Sequence, residues 1–366
     1  MQAVDRVKAG SRNRPVAVAL QGGGAHGAFT WGVLDRLLEE SDFEIVGISG
    51  TSAGAMNAGI LADGLRRGGP PEARAALARY WEDVGRLPGY ASIAPTPSLA
   101  TEREWHLDRN PFFLWADMLA RVWSPYQINP FNYNPLRGLL ERIDFDGLRC
   151  DADAARVFIC ATNVRSGLRR VFDNSELSVD VLLASACLPL MNQAVEIGGQ
   201  HYWDGGYTGN PALAPLYLKT AADDVIIIGI NPLLRAEVPR TAREIISRID
   251  EISFNSSFFM ELGAIAFVDE LLKAGAPQNF VKLLFVHQIC NEQLGSLGAS
   301  SKMNNDPAFL RHLHTIGRQS AEDWLAEHRE AVGKESTVDL TGLLPLQDGA
   351  FADPMGIRQT AAHTVS

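Results

Sequence analysis

A serine between two glycines, in the sequence Gly50-Thr51-Ser52-Ala53-Gly54, is the first residue whose type and surroundings suggest catalysis. The segment follows an apolar run and precedes small residues with helical spacing. A G-x-S-x-G sequence in that context is typical of a nucleophile elbow. The glycines permit a tight turn, and the N-terminus of the next helix favours a developing anion. We therefore predict that Ser52 is a nucleophile, the alternative being an ordinary small-residue turn.

A glycine-rich segment, "GGGAHG" at residues 22–27, precedes this serine and directly follows another apolar run. Its G-x-G-x-x-G pattern also occurs in dinucleotide-binding turns, where the next strand ends in an acidic residue that holds the ribose hydroxyls. Here the next strand is predicted to end in "SGTS" (49–52), and Asp42 and Glu44 lie at its beginning. The sequence therefore disfavours a dinucleotide site.

The glycine segment has a second interpretation. Loops that follow neighbouring parallel strands emerge at the same edge of a sheet, so residues 22–24 are expected beside Ser52. Backbone N–H groups can there stabilise the oxyanion of a tetrahedral intermediate, and losing one such donor costs about 10²–10³ in rate. We predict an oxyanion hole formed by Gly22, Gly23 and Gly24, with Gly27 supporting the turn.

A catalytic serine also needs a base, usually a histidine held by a carboxylate. The chain has eight histidines, none of them in a recognisable motif: His26, His106, His201, His287, His312, His314, His328 and His363. Asp204 is the other candidate, because it ends a predicted strand in "YWDGG" (202–206), where Gly205 and Gly206 permit a sharp turn. An Asp-Gly pair also occurs in turns that have no catalytic role. Burial would raise the pKa of this carboxyl toward the working pH.

Composition narrows the class of protein. The 366 residues are 46% hydrophobic, enough for a sizeable core. The net charge of −10 argues against nucleic acid as a partner, because phosphate binding needs a basic surface. The basic first residues are not followed by the apolar segment of a signal peptide, and no run of about 18 apolar residues occurs. We therefore expect a cytoplasmic protein without a spanning helix.

The remaining chemistry-bearing residues give no sign of a metal or another cofactor. Four cysteines, Cys150, Cys160, Cys187 and Cys290, lack both C-x-x-C pairing and zinc-site spacing, so we expect buried free thiols. We also find no acidic cluster suited to calcium. No cofactor is expected.

The apolar runs predict an α/β fold with a mostly parallel central sheet flanked by helices. Strands at 16–20 and 43–49 alternate with helices at 28–40 and 51–64, the second ended by Gly64. Further strands are predicted at 155–164, at 193–203 as a hairpin turning at "GG" (198–199), at 223–232 and at 279–289. Helices are predicted to begin at a capping box at Thr241 and at Pro307, the latter ending near residue 332.

Residues 85–135 interrupt this alternation with many prolines and aromatic residues. We expect a loop-rich insertion with short helices, which is a candidate lid or acyl-binding surface, or alternatively a set of core aromatics under long loops. The predicted organisation is a catalytic core over 15–215, the C-terminal part of the same α/β unit with helices over 216–333, and a poorly ordered tail over 334–366.

Together these motifs resemble the patatin-like phospholipase family. "GGGAHG" (22–27) is similar to its oxyanion loop, "GTSAG" (50–54) to its nucleophile elbow, and "DGG" (204–206) to the block that holds its second dyad residue. "ASACLP" (184–189) is similar to the small-residue stretch before that block. The resemblance covers about residues 15–215 and rests on the order and spacing of the motifs. The region after residue 215 looks similar to bacterial cytosolic members.

The resemblance implies a three-layer patatin-like fold in which Ser52 is the nucleophile and Asp204 its base, with no histidine in the dyad. Gly27, Gly50, Gly54, Gly205 and Gly206 would support these motifs. It implies hydrolysis of acyl esters in phospholipids, lysophospholipids or acylglycerols, with transient association with a membrane or lipid surface. Specificity and oligomeric state stay open.

Two residues depart from the family pattern. His26 stands where many members have Arg or Lys, which weakens the case for a fixed positive charge near the oxyanion. Cys187 stands where a smaller residue is frequent, and a packing difference is the expected consequence.

Two functions of other classes remain. An α/β-hydrolase esterase with a Ser-His-Asp triad would use a late histidine such as His287 or His314, although that fold usually has several strands before the nucleophile and only one is predicted here. The second alternative is a non-catalytic nucleotide-binding or scaffold protein, because a fold and its motifs do not establish catalytic turnover.

Overall fold

The computed structural model describes residues 13–89, 105–233, 235, 238–274 and 284–340. Its centre is one sheet whose strands within these ranges are β1 Arg14–Leu20, β2 Phe43–Gly50, β3 Arg156–Asn163, β4 Arg169–Phe172, β5 Val195–Ile197, β6 Gln200–Asp204, β7 Asp224–Ile228 and β8 Phe285–Ile289. The order across the sheet is β5-β6-β3-β2-β1-β7-β8, with β4 also paired to β3. Strands β3, β2, β1, β7 and β8 are parallel to one another, β4 and β6 pair antiparallel with β3, and β5 pairs antiparallel with β6.

Helices connect most of these strands and also follow the last strand, β8. In chain order the described helices are α1 Gly27–Leu37, α2 Ala53–Arg86, α3 Pro111–Val122, α4 Pro125–Ile128, α5 Arg137–Leu140, α6 Phe145–Cys150, α7 Val179–Ser185, α8 Ala214–Lys219, α9 Ala242–Lys273, α10 Gln293–Ser296 and α11 Pro307–His328. None of them has both the length and the apolar composition needed to span a bilayer, within the ranges described.

Two buried apolar clusters cover the two faces of the sheet. Side chains alternate along a strand, so Val16 and Val18 of β1 face one way and join a cluster with Phe29 of α1, while Ala17 faces the other way and joins a cluster with Phe258 of α9. The first cluster also contains residues of α2, α7 and α11. This arrangement confirms the predicted three-layer α/β fold with a mostly parallel sheet.

The helix after Ser52 differs from the prediction, which ended it at Gly64. It continues to Arg86 with a kink at Gly68 and Gly69, where the backbone leaves helical geometry. Gly64 instead permits a close approach, because a Cβ on it would lie 2.4 Å from the Cα of Ala73. The two halves of α2 therefore pack against each other at a glycine that was expected to end the helix.

Other local predictions agree with the structure. Gly198 and Gly199, with φ of 59° and 73°, connect β5 to β6 as the two positive-φ residues that a tight hairpin requires. The capping box of Thr241 and Glu244 begins α9. The last helix begins at Pro307 but ends at His328, before a 3-10 turn over Arg329–Ala331.

The end of the chain is only partly described. Of the late strand expected at 279–289, residues 279–283 lie outside the described residues and Phe285–Ile289 form β8. Of the tail expected to be poorly ordered, residues 341–366 lie outside them. Thr337 donates a backbone hydrogen bond to Val286 at 3.0 Å, so this part of the tail is attached to β8.

The four cysteines are free thiols, as expected, but only two of them are buried. Cys160 of β3 and Cys187 after α7 lie in the interior, whereas Cys150 and Cys290 are exposed. The expectation of burial is wrong for Cys150 and Cys290, because Cys150 lies at the exposed end of α6 and Cys290 follows the last residue of β8.

Candidate active site

Ser52 occupies a strained turn between β2 and α2. Its φ of 56° and ψ of −122° are a conformation that residues with a side chain rarely adopt. Close packing enforces the turn, because a Cβ on Gly50 would lie 2.4 Å from the carbonyl oxygen of Gly54, and a Cβ on Gly54 would lie 2.1 Å from that of Leu20. Strain maintained by its surroundings in this way is typical of functional residues.

A second serine fixes the backbone of this turn. The N–H of Ser52 donates to Oγ of Ser185 at 2.9 Å, and Oγ of Ser185 donates to the carbonyl of Cys160 at 2.6 Å. Ser185 is completely buried at the end of α7. In the sequence, this residue is marked only as part of the small-residue stretch 184–189. A hydroxyl in an otherwise apolar stretch was the signal that could have identified it.

The glycine loop lies directly against the serine turn. A Cβ on Gly22 would lie 2.6 Å from the Cβ of Ser52. The N–H of Gly22 donates to Oδ1 of Asn210 at 2.6 Å, so this N–H is already bonded within the protein. The location of the loop matches the expectation, but the oxyanion role expected for Gly22 requires a donor that Asn210 already occupies.

The next two residues of the loop differ from Gly22 in this respect. Among the described residues, nothing accepts a hydrogen bond from the N–H of Gly23 or of Gly24. Gly24 has a φ of 59°, and a Cβ on it would lie 2.3 Å from the carbonyl oxygen of Lys302. Gly24 is therefore needed for its conformation and for close packing, while its N–H remains available.

Asp204 ends β6 and is completely buried. Its Oδ1 accepts a hydrogen bond from the N–H of Gly206 at 2.7 Å, whereas Oδ2 is buried without a partner among the described residues. Burial raises the pKa of this carboxyl to about 7, although the Gly206 bond and the Ser52 hydroxyl act to lower it. A buried acceptor without a partner is rare in proteins and is a frequent mark of functional sites.

The sheet explains why residues so distant in sequence meet. Strand β3 pairs with β2 on one side, where Ile159 lies opposite Gly50, and with β6 on the other, where Ala161 lies opposite Asp204. Strand β2 runs parallel to β3 and β6 runs antiparallel to it, so their last residues, Gly50 and Asp204, reach neighbouring levels of β3 from opposite directions and bring the serine and the aspartate turns together. The hydroxyl of Thr51 also donates to the carbonyl of Gly209 at 2.6 Å, joining the two turns.

The glycines after Asp204 permit its turn to lie against β3 and α9. A Cβ on Gly205 would lie 2.1 Å from the carbonyl oxygen of Cys160, and one on Gly206 would lie 1.9 Å from the ring of Phe254. The asparagine of the nearby loop, Asn210, is also buried and bonds the glycine loop. Sequence reasoning missed Asn210 because no motif contains it.

His26, the unusual residue of the glycine loop, is buried beneath it. Its Nε2 lies 2.7 Å from Oγ of Ser301, and burial together with the positive charge of Lys302 lowers its pKa to about 3. The ring is therefore neutral at physiological pH and provides no charge to the site.

The two histidines considered for a triad are engaged elsewhere. Nε2 of His287 lies 2.9 Å from Oδ1 of Asp224, which begins β7 at the sheet edge opposite the serine turn. Nε2 of His314 lies 3.2 Å from Oδ2 of Asp35, and its ring packs on Trp31. In the described part of the chain neither histidine bonds Ser52, so neither of these two serves as its base in this arrangement. His363 lies outside the described residues.

The described residues contain no metal-binding cluster, and their glycine loop is bonded to the protein itself. In the ranges covered by the structure, no group of three or more His, Cys, Asp or Glu residues could hold a metal ion. The loop at 22–27 contacts the serine turn, and Gly22 is bonded to Asn210 and Asn231.

The described part of the aromatic insertion is largely on the surface. Helix α3 has no buried residue, and the exposed aromatics include Trp115, Trp123, Tyr126, Phe131 and Tyr133. Trp105 is half-buried and stacks on Phe309, and Leu107 of the same segment is buried. The insertion touches the loop before β5, where Gln193 donates to the carbonyl of Asn129 at 2.7 Å. Residues 90–104 lie outside the described residues.

Comparison with known proteins adds an independent observation. The model of the family described as patatin-like phospholipase matches residues 18–217. Among solved structures, the chain is similar to the crystal structure of VipD from Legionella pneumophila, with 13% identity and a TM-score of 0.37 over 88% of this chain and 70% of that one. A comparison with curated proteins gives no match. The glycine loop, the serine turn and Asp204 all lie inside the span that the family model matches.

Proposed function

The chain belongs to the patatin-like phospholipase family, and we propose that it hydrolyses the acyl esters of lipids with Ser52 as nucleophile and Asp204 as general base. The substrates would be phospholipids, lysophospholipids or acylglycerols. The catalytic core would comprise residues 15–215, with 216–333 completing the same α/β unit.

One observation carries this proposal: the completely buried carboxyl of Asp204, whose Oδ2 has no partner among the described residues and whose pKa is influenced by the Ser52 hydroxyl. A general base is most effective when its pKa lies near the working pH, and burial raises the pKa of Asp204 to about 7. An exposed aspartate, with a pKa of about 3.9, would be a far weaker base. Asp204 can therefore accept the serine proton without a histidine.

The first half of the reaction forms an acyl-enzyme. Oγ of Ser52 attacks the ester carbonyl carbon while its proton passes to Oδ2 of Asp204. The N–H groups of Gly23 and Gly24 donate to the oxyanion, and the N-terminus of α2 adds a favourable partial charge. When the tetrahedral intermediate collapses, the C–O bond to the alcohol breaks and Asp204 returns the proton to the leaving oxygen.

The second half releases the fatty acid. A water molecule gives its proton to the ionised Asp204 and attacks the acyl carbonyl carbon, again with the oxyanion in the glycine loop. Collapse breaks the ester bond to Ser52, which regains the proton from Asp204. The enzyme returns to its initial state with no metal or cofactor in either half.

We also propose that the aromatic insertion contacts the lipid surface. Exposed aromatic side chains suit the boundary between lipid and water, and Phe131 is 94% exposed. Helix α9 adds exposed Ile249 and Ile252. Because the chain carries a net charge of −10, a zwitterionic surface fits better than an anionic one.

Covalent labelling tests the catalytic proposal. A fluorophosphonate probe should label the wild-type protein and not Ser52→Ala, and the same substitution should abolish hydrolysis of phospholipids, lysophospholipids, acylglycerols and soluble esters. Ser296→Ala is a matched control, because this serine is bonded only within its own exposed turn. Absence of labelling in the folded wild type would favour a non-catalytic protein, and labelling of Ser52→Ala would identify another nucleophile.

A further inference from the structure

Lys302 is a partly buried cation beside the glycine loop that the mechanism above does not use. Its Nζ donates to Oδ1 of Asn231 at 2.8 Å, and Nδ2 of Asn231 donates to the carbonyl of Gly22 at 2.7 Å. An ammonium group can only donate hydrogen bonds, so the amide oxygen of Asn231 must face Lys302 and its nitrogen must face Gly22. The direction of both bonds is therefore determined.

The carbonyl of Gly22 and the N–H of Gly23 belong to the same peptide group. A hydrogen bond to the carbonyl polarises the whole group, so the N–H becomes a stronger donor, and consecutive hydrogen bonds reinforce one another. We propose that Lys302 is a positioning residue that acts through Asn231 on the peptide between Gly22 and Gly23, strengthening its N–H as a donor to the oxyanion. This inference rests on the function proposed above.

The surrounding bonds hold this peptide in one orientation. Oδ1 of Asn210 accepts the N–H of Gly22, and Oε1 of Gln21 accepts the N–H groups of Ile230 and Asn231 at 2.9 and 3.1 Å. The carbonyl of Lys302 itself packs against Gly24. Gln21 and Asn231 thus connect the residues after β7 to the loop, Asn210 connects the segment after β6 to it, and the peptide cannot rotate without breaking buried bonds.

Charged and titratable groups surround Lys302 from three segments: the residues around Arg235, helix α9, and the glycine loop with His26. Burial and Arg235 lower the pKa of Lys302, and Glu251 and Asp250 of α9 oppose that change. Glu251 also pairs with Arg235 and Arg248. His26 is neutral, so at this loop the positive charge comes from Lys302.

Substitution of Lys302 tests the proposal. Lys302→Met should lower kcat on a soluble ester about tenfold with little change in KM, less than the ~10²–10³ that follows loss of a direct donor. Affinity for a trifluoromethyl ketone, which forms a tetrahedral adduct with serine, should fall by the same factor. Lys302→Arg should retain most activity, and Lys273→Met is the control, because Lys273 pairs, among the described residues, with Asp269 and Glu270 of its own helix.

A second measurement separates this role from a structural one. At alkaline pH the wild-type kcat should fall as Lys302 loses its proton, and this fall should be absent in Lys302→Arg. Asn231→Leu should cost about as much as Lys302→Met, and the double variant little more, because residues in one chain of bonds are not additive. Lys302→Gln, compared at equal folded fraction by circular dichroism, replaces Lys302→Met if the latter is unstable.

The outcomes are distinct. Normal kcat in folded Lys302→Met or Lys302→Gln, with wild-type labelling of Ser52 intact, would overturn this inference and leave the proposed function standing. Equal losses in the Met and Arg variants would also overturn it, because charge would then not matter. Absence of Ser52 labelling in the wild type would overturn both proposals.

Discussion

The hydroxyl of Ser185 accepts the backbone N–H of Ser52 at 2.9 Å and is itself buried. Because the same hydroxyl donates to the carbonyl of Cys160, it connects the serine turn to the strand that separates β2 from β6. The strained φ of Ser52 is therefore maintained by a residue from a distant part of the chain.

Replacing Ser185 with alanine should loosen this turn. The change removes the acceptor of the Ser52 N–H and a donor to the carbonyl of Cys160, at a cost of about 1–3 kcal/mol in the free energy of unfolding. We expect kcat to fall at least severalfold, because Ser52 is no longer held in its reactive orientation. Denaturant unfolding and steady-state kinetics measure both effects, with Ser296→Ala as the control. Wild-type kcat in Ser185→Ala would show that the turn is held without this bond.

The activity should depend on ionisation of Asp204. Since the pKa of this carboxyl is about 7, kcat/KM for a soluble ester should rise with pH to a plateau above that value. Asp204→Asn should be folded but inactive over the whole range. A flat profile between pH 5 and 9, or hydrolysis by Asp204→Asn, would exclude Asp204 as the base and reopen the search for a histidine.

The same carboxyl should make stability depend on pH. Its pKa rises from 3.8 to about 7 on folding, so between these values the folded state binds the extra proton. The free energy of unfolding that this protonated carboxyl contributes is complete below the lower pKa. It decreases by about 1.4 kcal/mol per pH unit between the two pKa values and is lost once the pH has risen through the upper one. The free energy of unfolding of the wild type should therefore fall relative to Asp204→Asn between pH 4 and 7. A constant difference would contradict the raised pKa.

The two glycines after Asp204 should respond differently to alanine. In Gly205→Ala the new methyl group meets the backbone carbonyl of Cys160, which cannot move without disturbing β3, whereas in Gly206→Ala it meets the ring of Phe254, a partly exposed side chain. We expect Gly205→Ala to lose about 1–3 kcal/mol of stability and most activity. Gly206→Ala should lose less of both. Thermal unfolding and ester hydrolysis measure the stability and the activity of both variants. A larger loss in Gly206→Ala than in Gly205→Ala would contradict these packing contacts.

The aromatic insertion should matter only at a lipid surface. Replacing Phe131 and Tyr133, which are 94% and 72% exposed, with serine should reduce hydrolysis of long-chain phospholipid in zwitterionic vesicles severalfold. Hydrolysis of a soluble short-chain ester should be unchanged. Leu218→Ser removes a similarly exposed apolar side chain from α8 and should change neither rate. Equal losses on both substrates would indicate that the insertion supports the fold instead.

Much of the local structure follows from the sequence. The glycines of 22–27, the serine turn at 50–54 and the hairpin at Gly198 and Gly199 were predicted, because tight turns and positive φ restrict which residues can occupy them. Alternation of apolar runs with helical spacing predicted the α/β class. The end of α2 was predicted wrongly. A glycine is needed at position 64 because Ala73 packs closely against it, and the residues adjacent to Gly64 in sequence do not reveal that contact.

The sequence by itself determined the conformations that individual residues impose on their neighbours, and these include the candidate nucleophile and the aspartate turn. Only the tertiary structure decided which groups meet: Asp204 near Ser52, Ser185 behind that turn, Asn210 on the N–H of Gly22, and Lys302 beside the loop. Local signals depend on a few consecutive backbone angles. Contacts between distant segments depend on how strands pair and which side chains become buried, and no short pattern encodes that.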